Sequence, residues 1–119
     1  MIYGAGRQSK DFIYVSDTAR ASLLAMKKWK PGDVYNVATC KSTDFNAMFD
    51  TVEEEMKYGG VAKYTPNPLK SYQMFTQADI SKTSRELGLA PQYDIRKDIR
   101  EMLLAQLMIF PVIDGILGN

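Results

Sequence analysis

Histidine is absent from the chain, and cysteine occurs once, at Cys40. The first absence removes a Ser-His-Asp triad, a histidine general base and a histidine-ligated zinc site. The second removes an internal disulfide and a thiolate metal cage, and a lone thiol fits a reducing cytosol better than secretion. Neither sign of charge dominates: 15 Lys and Arg stand against 14 Asp and Glu, a net charge of +1. Nothing in that balance points to nucleic acid or an anionic membrane as partner. The apolar stretch Leu103 to Ile113 is broken by Gln106 and Pro111, short of the roughly 20 residues a membrane span needs. The opening Met1-Ile2-Tyr3-Gly4 lacks the basic-then-apolar pattern of a signal peptide.

What is present is an ordinary globular composition, 45% apolar over 119 residues, enough for one modest core. The hydrophobic period alternates between two types. Phe12-Ile13-Tyr14-Val15 reads as a strand, followed by a helix capped by Asp17 or Ser16 that runs to about Lys28 with Ala19, Leu23 and Met26 on its inner stripe. Pro31-Gly32 marks a turn, and Val34 to Ala38 reads as a second strand. Thr43 or Ser42 caps the clearest helix, whose apolar residues Phe45, Met48, Phe49, Val52 and Met56 recur at helical spacing before Gly59-Gly60. Val61 to Thr65 reads as a third strand, Asp79 caps a helix ending at Gly88, and Asp94 caps a fourth. Residues 105–119 carry Pro111, Gly115 and Gly118 with no clean period and are expected to be irregular.

Few motifs carry chemistry. Gly4-Ala5-Gly6 lacks the preceding strand and following helix that a dinucleotide fingerprint requires, so it reads as a turn. Tyr93 and Lys97 have the Tyr-x-x-x-Lys spacing of hydride-transfer enzymes, but Tyr93 precedes the cap Asp94 and reads as a staple of the helix start. Lys10-Asp11 is either a solvated charge pair at a strand mouth or a phosphate contact with Asp11 holding its loop. Tyr72-Gln73 and Thr76-Gln77 form a polar, aromatic loop before a helix start, suited to stacking a ring and donating hydrogen bonds.

The block from Lys10 to Ala21, Lys-Asp-Phe-Ile-Tyr-Val-Ser-Asp-Thr-Ala-Arg-Ala, resembles the Arg-Asp-Phe-(Ile/Val)-Tyr-Val-x-Asp-x-Ala block of NAD(P)-dependent nucleotide-sugar epimerases and dehydratases, the extended short-chain dehydrogenase/reductases. Val34 to Thr39 is similar to the strand that follows in that family. The segment Tyr72 to Ile80 resembles the narrower Tyr-Gln-x-Phe-Thr-Gln-Ala-Asp-Leu segment of ADP-glycero-manno-heptose 6-epimerases. The resemblance runs from about Ile2 to Leu104.

The resemblance implies an α/β fold, the C-terminal substrate-binding lobe of such an enzyme over residues 1–104, lacking the N-terminal Rossmann half, with an apolar tail over 105–119. It implies a cytoplasmic isomerase that uses NAD or NADP, with the cofactor held by the missing Rossmann half, none held by this piece, and no turnover from this piece alone. A nucleotide-sugar of the ADP-heptose kind is the implied ligand. Lys10 stands where the family has an arginine on the substrate diphosphate, Gly4 matches the loop contacting the sugar nucleotide, and Tyr72 with Gln73 matches the substrate-contacting segment. Lysine keeps the charge and loses the bidentate fork. Ser71 replaces an expected arginine, and Cys40 replaces a glycine. An isolated lobe would expose the apolar face meant for its other half, so self-association is expected. A non-catalytic nucleotide-sugar module acting in trans, or an inactive truncated gene product, are the competing readings.

Overall fold

In the computed structural model, residues 1–117 are described in backbone and 1–106 in side chain. The elements run β1 (Ile2–Tyr3), β2 (Ser9–Lys10), α1 (Val15–Lys28), β3 (Thr43–Asp44), α2 (Phe45–Met56), β4 (Tyr64–Thr65), α3 (Ser81–Leu87) and α4 (Ile95–Leu117). The strands form two separate two-stranded pairs: β1 parallel to β4, with Ile2 opposite Tyr64, and β2 antiparallel to β3, with Lys10 opposite Thr43. A parallel bridge from Ser9 to Phe75 ties the 72–78 loop to the second pair.

Helix α2 is the element most fully announced by its sequence. The cap is Asp44 rather than the expected Thr43 or Ser42, its carboxylate accepting the Ala47 N–H at 2.7 Å, and Lys57 ends the helix in a left-handed conformation, two residues before the glycines expected to do so. Helix α3 stops at Gly88, φ +77°, with Leu87 fully buried. Asp94 caps α4 by accepting the Lys97 N–H at 2.9 Å. Helices α2 and α4 pack together, as do α1 and α3. The first contact is clamped by Arg96 and Arg100, which donate to Glu54 and Glu55.

Three expectations are corrected. Phe12 to Tyr14 is extended but unpaired, and Val15 already begins α1; the strand pairing with β3 falls on Ser9 and Lys10 instead. Val34 to Ala38 likewise forms no strand; it bonds instead to α3 and its preceding loop, as where Thr83 donates to the Asn36 carbonyl. The tail expected to be irregular is helical as far as Leu117, α4 continuing past Pro111 and Gly115. Residues 118–119 lie outside the described residues.

The core is small. Among the described residues, Ile2, Ala21, Ala38, Leu87, Leu89 and Ile99 are its buried apolar members. The accessible surface of 8749 Å² exceeds the roughly 6,500 Å² expected of a compact monomer of this mass. Helix α1 shows where part of the excess lies. Its inward residues are Asp17 and Ala21, while Leu23 and Met26, expected to face inward, are 58% and 83% exposed. The apolar stripe exists and points away from this chain's own interior. Among the described residues no helix is long and apolar enough to cross a membrane.

Candidate substrate-binding site

Strand β2 delivers Lys10 to the 72–78 loop. The Ser9 N–H donates to the Met74 carbonyl at 2.8 Å and the Thr76 N–H returns a bond to the Ser9 carbonyl at 3.1 Å. Two backbone bonds thus fix the loop beside the strand. Lys10 then donates from Nζ to the Gln73 carbonyl at 2.5 Å, and its ammonium lies 5.1 Å from the centre of the Tyr72 ring. The aromatic face and the carbonyl hold the cation in place.

Asp11 closes the arrangement from the other side. Its Oδ1 accepts the Thr39 N–H at 2.9 Å and the Thr39 hydroxyl at 2.5 Å, while Oδ2 accepts the Ala78 N–H at 3.2 Å. One carboxylate therefore joins the β2 extension, the 38–41 loop and the loop that leads into α3. Lys10 and Asp11 do not pair with each other: each is engaged with a different segment. Between these segments opens a cavity of about 380 Å³ lined by Asp11, Ala38, Gln73, Phe75, Thr76 and Gln77, among others.

Cys40 turns the 38–41 loop with φ +61°, a conformation that costs an L-residue about 1–2 kcal/mol and a glycine almost nothing. The turn a glycine would make is kept, and the Gln77 side-chain amide holds it by donating to the Cys40 carbonyl at 2.8 Å. Asp79 follows at the start of α3, accepting the Ser81 N–H at 2.8 Å and the Ser81 hydroxyl at 2.5 Å. Those bonds hold its carboxyl below the usual carboxylate range.

Three of the four residues singled out from sequence, Lys10, Tyr72 and Gln73, are thus brought together. Gly4 stands apart, on the turn after β1, where its N–H donates to the Thr65 carbonyl at 2.8 Å and its φ is +64°. That turn does not fit a dinucleotide. Asn46 fills it, donating to the Ala5 carbonyl at 3.0 Å, and a Cβ on Gly6 would fall 2.0 Å from the Asn46 amide oxygen. Tyr93 and Lys97 do not form a proton-transfer pair either; the Lys97 ammonium sits 4.1 Å over the Tyr93 ring, which packs against Tyr14 at 4.6 Å. Asp11, Thr39 and Ala78 as a three-way staple are not legible as site residues, since the partners of Asp11 lie 28 and 67 positions away.

Residues 1–38 match the NAD dependent epimerase/dehydratase family. The solved UDP-glucose 4-epimerase of Thermotoga maritima, with UDP-glucose, superposes at a TM-score of 0.80 with 30% identity, over 89% of this chain and 35% of that one. The fold is that of part of an extended short-chain dehydrogenase/reductase. Among curated relatives, a putative UDP-glucose 4-epimerase of Methanocaldococcus jannaschii is 35% identical over 87% of this chain and 32% of its own length. An ADP-L-glycero-D-manno-heptose-6-epimerase of Alkalilimnicola ehrlichii is 37% identical over 67% of this chain and 26% of its own. The chain spans about a quarter to a third of the length of these relatives.

Proposed function

We propose that this chain is the substrate-gripping lobe of an NAD(P)-dependent nucleotide-sugar epimerase, inactive by itself. The observation that carries the reading is the convergence of Lys10, Tyr72 and Gln73 beside the 380 Å³ cavity. In it the Lys10 ammonium meets the substrate diphosphate, and Tyr72 and Gln73 contact nucleotide or sugar. Asp11 holds the two loops that shape the cavity and takes no part in bond making. Gly4, away from the cluster, would meet the ligand only from the β1 turn.

With Asn46 filling the Gly4–Gly6 turn, this reading assigns the redox chemistry of such an enzyme, with NAD or NADP, to a separate Rossmann half. The outward stripe of α1 and the surface excess support a second polypeptide surface packed on this lobe. Within the class, the Tyr72–Ile80 segment favours an ADP-heptose-like substrate, and with it a role in lipopolysaccharide precursor synthesis in the cytoplasm. The two UDP-glucose 4-epimerase likenesses make a UDP-hexose the second reading.

Titration calorimetry of the chain with ADP-heptose, UDP-glucose, ADP and free sugar tests the grip. Saturable binding of a nucleotide-sugar that exceeds binding of the free sugar is expected. Equal failure of all four up to millimolar concentration, with the chain folded by circular dichroism, overturns the reading. Epimerisation by the purified chain with added NAD(P) would overturn the assignment of no turnover.

A further inference from the structure

Around the start of α4, where Asp17 of α1 holds the preceding Gln92–Tyr93 turn, two acidic side chains are buried, and the proposed substrate grip uses neither. Asp17, 1% exposed, accepts the N–H groups of Gln92 at 2.8 Å and Tyr93 at 3.2 Å, and Arg20 approaches its other oxygen at 3.2 Å. Its charge is fully matched by donors. Asp98, one turn into α4 and 5% exposed, has no such match: its Oδ1 is buried without any hydrogen-bond partner.

A buried carboxylate lacking donors is unfavourable when charged, and a neighbouring carboxylate makes it more so. The groups acting on Asp98 are Asp17 from α1 and Asp94 and Lys97 from α4 and its cap; only Lys97 favours the charge. Tyr14, just before α1, and Glu101 on α4 belong to the same neighbourhood. On the α2 side of α4, the charged groups Glu54 and Glu55 are occupied by Arg96 and Arg100. Burial first, then Asp17 and Asp94, pushes the Asp98 carboxyl up to about 6.

We propose that Asp98 keeps its proton in the folded chain where an ordinary aspartate has lost it, so that the packing around the start of α4 is tightest in mild acid and loosens when Asp98 ionises. Asp98 is raised in the folded chain, whereas the unfolded chain releases this proton near the ordinary aspartate value of 3.8. The folded state therefore holds an extra proton between those limits, and stability from this group is complete below about pH 4 and lost as pH rises through 6. The gap between 3.8 and about 6 corresponds to roughly a hundredfold change in the unfolding equilibrium constant.

Carboxyl-carbon NMR of the uniformly labelled full chain, with the Asp98 carboxyl assigned through bonds from its backbone, tests this. The Asp98 resonance is expected to titrate near pH 6, and urea unfolding of D98N should lose the fall in stability between pH 4 and 7. A midpoint for Asp98 near 4, as an unfolded chain would also give, overturns the proposal. So does a D98N variant with the wild-type pH dependence. The wild-type midpoint decides the matter even if D98N does not fold.

Discussion

The Lys10 amine and the Gln73 carbonyl, 63 positions apart, are joined at 2.5 Å. The bond uses one of the three ammonium donors, and the Tyr72 ring covers one side of the cation. The remaining donors are what a diphosphate would compete for. Lys10→Ala should weaken nucleotide-sugar binding by roughly tenfold to a hundredfold, the range of a charge-assisted hydrogen bond. Lys10→Arg should preserve or tighten it. Calorimetry at two salt concentrations checks both, since the alanine variant should also lose salt dependence.

Asp11 is predicted to matter for assembly of the cavity. Removing its carboxylate with Asp11→Ala strands the Thr39 and Ala78 N–H groups, at a cost of about 2–3 kcal/mol. Thr39→Val removes the hydroxyl bond to Asp11 and the longer one accepted from the Lys41 N–H, and should cost about 1–2 kcal/mol. Urea denaturation of the two variants gives the ratio directly.

Cys40→Gly should stabilise the chain. Relief of the left-handed strain is worth about 1–2 kcal/mol, and the freedom glycine gains when unfolded returns roughly 0.5–1 kcal/mol of it. The net gain of about 0.5 kcal/mol should appear as a rise of a few degrees in Tm.

How far the sequence can be read follows from where each residue's partner sits. Helix α2 depends on Asp44 and on the apolar spacing from Phe45 to Val52, all within one local window, and its limits are legible nearly to the residue. The caps Asp94 and Gly88 are equally local. Strands are not. Phe12-Ile13-Tyr14-Val15 has every local mark of a strand, yet pairing is a property of two segments, and the neighbour that exists is matched to Ser9 and Lys10. The Lys10–Tyr72–Gln73 cluster is reachable only through resemblance to a family, because no spacing rule links position 10 to position 73. The direction of α1 escapes local reading for a related reason: a stripe of Leu23 and Met26 tells that something apolar is covered, but not whether this chain does the covering.

The α2–α4 clamp should respond to acid in the opposite sense to Asp98. Hydrogen bonds from Arg100, then Arg96, hold the Glu55 carboxyl below its ordinary value of 4.5. A depressed carboxylate contributes stability that is present above its unfolded value and lost as pH falls through the folded one. Glu55→Gln should therefore be less stable than wild type at pH 7, and the gap should close as the pH is taken well below the ordinary carboxylate range. Paired urea titrations at neutral and acid pH measure it.

A core this thin leaves little reserve. Leu87→Ala, at a fully buried position, should cost about 2–5 kcal/mol, enough to abolish the cooperative thermal transition of the isolated chain.

The parallel pairing of β1 with β4 sets an order on how this molecule can come into being. Ile2 faces Tyr64 across the pair, so a nascent chain emerging from the ribosome carries β1 without its partner until β4 has followed. Contacts of such long reach form slowly. Any pause in translation before Thr65 leaves an unsatisfied edge open to whatever strand drifts past.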